Sequence, residues 1–98
     1  PNEGRAKIAL ESLEKFLEKE PEDIESNCLV VRALRLQGNL DDALSRAERL
    51  KTKFQNTAMI YEELGRIQMR KENYDAAYEI LSTSYKFYSF KIGLNFVV

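Results

Sequence analysis

Histidine is absent from this 98-residue chain, and cysteine occurs once, at Cys28. The first absence removes the commonest general base and the commonest metal ligand together. The second excludes an intramolecular disulfide and a cysteine-based metal site, and a lone thiol fits a reducing compartment, the cytoplasm. No run of 18 or more apolar residues is present, so no segment is long enough to insert in a membrane. No secretory signal is visible at Pro1-Asn2-Glu3, and an opening on proline rather than methionine suggests a piece of a longer chain. The four glycines stand apart, at expected turns, helix crossings and the tail, so no glycine-rich phosphate loop exists. A net charge of −1 gives no pull toward nucleic acid or anionic lipid, and no basic stripe with interleaved aromatics is found. Without histidine, a serine or cysteine nucleophile lacks its usual base. The carboxylates Glu14, Glu18, Asp41, Asp42, Glu62 and Glu63 fall on faces expected to be solvated. The expectation is therefore a protein that is not an enzyme, with no cofactor and no metal.

What the chain does contain is helical periodicity. Hydrophobic residues at 44% and charged residues at 32% suit a folded helical domain, and the length suits a single one over 1–98. Charge is uneven: residues 1–26 carry four Lys/Arg against eight Asp/Glu, 27–56 six against three, and 57–98 five against five. Ile8, Ala9, Leu13, Phe16 and Leu17 sit at helical spacing over residues 4–20, and Pro21 closes that segment. Asp23 is placed to cap a second helix to about Gln37 carrying Leu29, Val30, Val31, Leu34 and Leu36, with Gly38 as its stop. Asn39 or Asp41 caps a third helix to about Phe54, with Ala43, Leu44, Ala47 and Leu50 inward. After the polar break Gln55-Asn56-Thr57, a fourth helix over 58–71 buries Tyr61, Leu64 and Ile67. Asn73 then caps a fifth over 74–88, with Tyr74, Ala77, Leu81 and Tyr85 on one side. Connections of two to five residues make consecutive helices antiparallel neighbours.

The chain also nearly repeats itself at a fixed interval. Gly38-Asn39-Leu40-Asp41-Asp42-Ala43-Leu44 returns as Glu72-Asn73-Tyr74-Asp75-Ala76-Ala77-Tyr78, and Ala9 precedes Ala43 by the same step that separates Ala43 from Ala77. A fixed period of this size, about 34 residues, signals stacked supersecondary units. Tyr61, Leu64-Gly65 and Asn73-Tyr74-Asp75-Ala76-Ala77 fall where the tetratricopeptide repeat carries its early aromatic, its Leu-Gly and its turn with the first alanine of the second helix. The chain resembles that family over about residues 4–91. Residues 4–23 resemble the second half of a repeat, 24–57 a whole repeat and 58–91 another, with departures at Asn27, where the aromatic belongs, and at Val31, where a small residue belongs. The resemblance implies an all-α fold of antiparallel helix-turn-helix repeats stacked in a right-handed α-solenoid. Gly65 and Ala77 would mark close helix crossings, with Tyr61 and Tyr74 filling the wider gaps.

In that family the first helix of each unit lines the concave side. The resemblance thus places Glu25, Cys28, Arg32 and Arg35 there from one unit, and Met59, Glu62, Arg66, Met69 and Arg70 from the next. Arginine pairs carboxylates bidentately and methionine adapts to varied apolar partners, so this face suits an acidic or amphipathic peptide or protein segment. The alternative is that each arginine only pairs with a nearby Asp or Glu. Family members that clamp the carboxylate tails of heat-shock chaperones use lysine and asparagine at inner positions that here hold Cys28, Arg32 and Glu63, which disfavours that ligand. The tail, 87–98, is apolar, and Tyr88, Phe90, Ile92, Leu94 and Phe96 alternate as in a strand. It reads as a cap over the last groove or as an intermolecular contact. The functional expectation is a non-catalytic protein-interaction scaffold. Its alternatives are a self-association module using 87–98, giving a homo-oligomer, and the substrate-docking domain of a larger enzyme.

Overall fold

Helix α1, Asn2–Lys19, stops ahead of Pro21, and its last bond runs from the Glu20 N–H to the Phe16 carbonyl at 3.0 Å. This is a computed structural model; it describes residues 2–91, with side chains from 4 to 90. All the described residues are helical or in short connections, and none forms a strand. Helix α2, Ile24–Leu36, begins at Asp23, whose carboxylate accepts from the Ser26 N–H at 2.9 Å. That bond satisfies a backbone donor the helix cannot, and hydrogen bonds from Ser26 hold the Asp23 carboxyl below its usual range. Helix α3, Leu40–Lys53, starts after Asn39, which makes no side-chain cap bond; Asp41 lies within the first turn and accepts from Lys71 Nζ at 2.7 Å. Helix α4, Ala58–Arg70, follows the expected break, where Asn56 adopts φ +60°. Helix α5 spans Tyr74–Lys91.

The end of α2 explains one glycine. Gly38, at φ +83°, donates to the Arg35 carbonyl at 2.9 Å while Asn39 donates to the Leu34 carbonyl at 2.9 Å, the paired bonds that reverse a chain out of a helix. At the matching place in the next repeat, Glu72 at φ +64° donates to Met69 at 3.0 Å and Asn73 to Gln68 at 2.9 Å. One turn therefore closes both hairpins.

Helix α1 packs on α2, α2 on α3, α3 on α4 and α4 on α5, and α2 also meets α4 directly. In the last hairpin the two helices run antiparallel: the Ser84 hydroxyl donates to the Ala58 carbonyl at 2.8 Å, and Leu81 lies against Gly65 at the middle. A Cβ at Gly65 would overlap the Leu81 side chain, which is why the smallest residue sits there. The core is Cys28, Val30, Val31 and Leu34 of α2, Ala43 and Ala47 of α3, and Ile60, Leu64 and Ile67 of α4, flanked by Leu10, Leu13 and Leu17 of α1. Burying these side chains is worth about 1.5–3 kcal/mol for each large one.

Several expected inward positions point outward. Ile8 is 68% exposed and Phe16 48%, because α2 covers a different side of α1, the one carrying Ala6, Leu10, Leu13 and Leu17. Leu36 at the end of α2 is exposed as well. Ala43 and Ala77 are fully buried in their hairpins, but Ala9 is exposed, since no described helix precedes α1 to cover it. Tyr74 and Tyr85 are exposed rather than filling a gap. Residues 87–91 do not begin an extended segment: they continue α5, and residues 92–98 of the expected tail lie outside the described residues.

Candidate functional site

Two consecutive glutamates on α4, Glu62 and Glu63, organise the face shared with α2. Both were expected on a solvated surface. Instead, the approach of α2 turns Glu63 into the interface, where its side chain is 1% exposed. Its Oε2 accepts from Arg32 Nε at 3.0 Å and Nη2 at 2.9 Å, and its Oε1 from Arg35 Nη2 at 3.4 Å. A buried carboxylate is tolerated only with such charge-assisted partners. The bond to Glu63 raises the Arg32 pKa, whereas burial lowers that of Arg35 against the attraction of Glu63. Arg35 Nε is buried and has no hydrogen-bond partner among the described residues.

Glu62 faces the other way. It accepts from Arg66 Nη2 at 3.0 Å and Nε at 3.2 Å, and from the Tyr88 hydroxyl at 2.9 Å. Burial opposes ionisation of Glu62, but Tyr88 and Arg66 outweigh it and hold its carboxyl below the usual range. Burial, aided by Glu62, pushes the Tyr88 phenol up to about 12. Arg70 Nη1 donates to the Arg35 carbonyl at 3.1 Å. The expected strip of arginine charge is thus largely met from within: Arg32 and Arg35 by Glu63, Arg66 by Glu62, and Arg70 by a main-chain oxygen. Arg66, Met69 and Arg70 remain exposed; Met59 and Glu62 are half-buried.

Cys28 was expected to face the groove or to be partly buried, and the structure buries it further: it is 1% exposed. Burial, with Glu63 adding to it against the opposing Arg32, pushes its thiol up to about 12, so no thiolate is available as a nucleophile near neutrality.

Beside this ionic face opens a groove of about 890 Å³, lined by Ile24, Met59, Phe87, Tyr88 and Phe90, with Glu25 and Lys86 bringing charge of both signs. It takes shape because α5 runs on to Lys91, past Phe87, the position that matches the end of α3 at Lys53 one repeat earlier. Phe87 sets its ring edge-on to Tyr61 at 5.2 Å, which fixes this last stretch on α4. Of the nine residues expected to bind a partner, the groove gathers only Glu25 and Met59. Phe87, Tyr88 and Phe90 were expected in a cap over the last groove or an intermolecular contact, not among the partner-binding residues. Their signal was the cluster of aromatics at 87–90, which helical spacing turns to the groove and strand spacing does not.

A second groove of about 510 Å³ separates α1 from α2 and is lined by Ala6, Ala9, Leu13, Leu29, Ala33 and Leu36 together with Arg5 and Arg32. Among the described residues no three His, Cys, Asp or Glu side chains cluster to hold a metal ion, and no helix is long and apolar enough to cross a membrane. Set beside protein-family models, curated proteins and solved structures, the chain matches none of them.

Proposed function

We propose that this chain is a segment of a tetratricopeptide-like, right-handed α-solenoid that serves as a non-catalytic protein-interaction scaffold, seating a partner segment in the groove bounded by α2, α4 and the last turns of α5. The single observation behind this reading is the groove itself: about 890 Å³ of mostly apolar lining, open between three helices, with Glu25 and Lys86 at its border. Its size falls in the range of binding clefts, and aromatic and methionine side chains supply adaptable contact area. Met59, Phe87 and Phe90 make the apolar floor, with Glu25 and Lys86 supplying charge of both signs; Arg66 is paired with Glu62, and Arg70 lies at the other end of α4. Arg32 and Arg35 have a structural role, since Glu63 occupies them. Cytoplasmic residence and the absence of bond chemistry belong to the same reading, supported by the single cysteine and the lack of histidine.

The test is peptide selection from a random library against the folded chain, followed by nuclear magnetic resonance with the winning sequence. Expected are amphipathic peptides, shifts concentrated at Ile24, Met59, Phe87 and Phe90, and loss of binding in Met59→Arg with the helical spectrum unchanged. Shifts confined to the α1–α2 groove, or no selectable peptide, would discard the proposal.

A further inference from the structure

The outer face of α5 carries Tyr74, Tyr78 and Tyr85 in one stripe, exposed at 57%, 75% and 58%. Three exposed tyrosines at successive offsets of four and seven positions share one side of a helix. The same register on α1 holds Ala6, Leu10 and Leu17, which lie on the α2 side, and on α3 Leu40, Leu44 and Lys51, of which Leu44 packs on the core and Lys51 pairs with Glu48. The stripe is thus the position from which α1, and Leu44 of α3, reach the core, and on α5 its tyrosines stay exposed to solvent. Tyrosine is suited to that position, since it offers rigid apolar area with a hydroxyl that tolerates water.

Charge beside the stripe selects the occupant. Asp75, Glu79 and Lys86 share the adjacent line of α5, at the same offsets, and none has an ion-pair partner among the described residues. The N-terminal half of this line is acidic and the C-terminal half basic, so the line complements itself when reversed. We propose that this face of α5 pairs two-fold and antiparallel with α5 of a second copy. Setting Tyr78 opposite Tyr85 of the second copy brings Lys86 of one copy within about 3 Å, along the axis, of the level of both Asp75 and Glu79 of the other. Symmetry makes each contact twice, as a two-fold interface requires. A net charge of −1 offers little repulsion between copies. Lys86 borders the groove of the proposed function as well, whereas Tyr78, Asp75 and Glu79 do not line it, so Tyr78→Glu tests the pairing apart from the groove.

Sedimentation equilibrium over a wide protein concentration range tests it, with circular dichroism as the folding control. The unaltered chain should form a dimer, and Tyr78→Glu should be monomeric with its helicity intact. Lys86→Glu alone, and Asp75→Lys with Glu79→Lys alone, should each weaken the dimer about tenfold or more. Mixing those two variants should restore a heterodimer, because both contact sets then regain opposite charge. A chain that stays monomeric, a dimer that survives Tyr78→Glu, or a mixture no tighter than its parts would each overturn the pairing. The monomeric result would leave the stripe to a following helix of a longer chain.

Discussion

Hairpin α2–α3 and hairpin α4–α5 stand one repeat apart in the sequence and turn on matching hydrogen bonds, yet their interiors are filled in opposite ways. Where α2 presents Val31 toward the position of Ala47, α4 presents Gly65 to Leu81; the large side chain has moved from the first helix of the hairpin to the second. At the open end, the Tyr61–Phe87 ring pair of the second hairpin corresponds to Asn27 and Lys53 in the first. There the Asn27 amide donates instead to the Pro21 and Asp23 carbonyls, and a hollow of about 290 Å³ remains. Glu63, buried on the face between the two hairpins, corresponds to Leu29, which lines the groove between α1 and α2 instead. The turn and the fully buried Ala43 and Ala77 fix the path of the chain. Between those fixed points, what the fold demands is a summed volume and satisfied charges, and either helix can provide them.

The largest expected effect comes from making the second hairpin resemble the first at its polar point. Glu63→Leu installs the residue found at position 29 but strands Arg35, whose side chain is 13% exposed. Removing one partner of a buried ion pair costs about 3 kcal/mol. Thermal unfolding should show a fall of roughly 4–8 °C for each kcal/mol lost. Arg35→Met in the same chain should recover most of it, because a fully apolar replacement leaves no unpaired charge. A single variant as stable as the parent would mean that Glu63 and its guanidiniums are not coupled. Arg32→Glu is expected to be damaging for the same reason, so it cannot serve as a probe of partner binding.

Gly65→Val tests the volume exchange directly. Alone it should cost about 2–3 kcal/mol by forcing Leu81 aside. Combined with Leu81→Ala it reproduces the Val–Ala pair of the first hairpin, and the urea midpoint should return most of the way. A coupling energy of about 1.5 kcal/mol or more is expected from the double-mutant cycle, whereas strict additivity would show that the two positions do not compensate.

A third contrast lies at positions 28 and 62, which share a register but not an environment. Glu62 is half-exposed and ionised, while Cys28 is sealed and its thiol stands at about 12 against an ordinary value of 9.0. At pH 8 the thiolate population is then about a thousandfold lower than in an open cysteine. Alkylation by iodoacetamide should be correspondingly slow in the folded chain and fast in denaturant. Rapid alkylation under folding conditions would place Cys28 on an accessible surface.

Local chemistry was legible in the sequence wherever one residue type meets one backbone demand. Pro21, the Asp23 cap, Gly38 and the break at 55–57 all mark the boundaries found, and the repeat period located both hairpins. Faces were less legible. Ile8 and Phe16 look inward by spacing, but which side of α1 is covered depends on where α2 lies, a tertiary fact. The burial of Glu63 was hidden for the same reason: a glutamate reads as solvated until Arg32 and Arg35 arrive from another helix. The alternation at 88–96 suggested extended chain, and through Lys91 the Tyr61–Phe87 and Tyr88–Glu62 contacts favour helix instead. These are the residues that build the groove, so the groove was the least readable part of the molecule.

The smallest expected effect concerns the two turns. Gly38 occupies the left-handed region freely, whereas Glu72 carries a Cβ into it, which costs about 1–2 kcal/mol. Gly38→Ala should therefore destabilise the chain by about 1 kcal/mol. Glu72→Gly relieves the strain but frees the unfolded chain by about 0.4–1 kcal/mol, leaving a net gain of about 0.5 kcal/mol. Equilibrium denaturation of the two variants side by side should move the midpoints in opposite directions. Movement in the same direction would mean that the paired turns, despite their matching bonds, are not equivalent in energy: Glu72 would then owe its place to a contact that glycine cannot make.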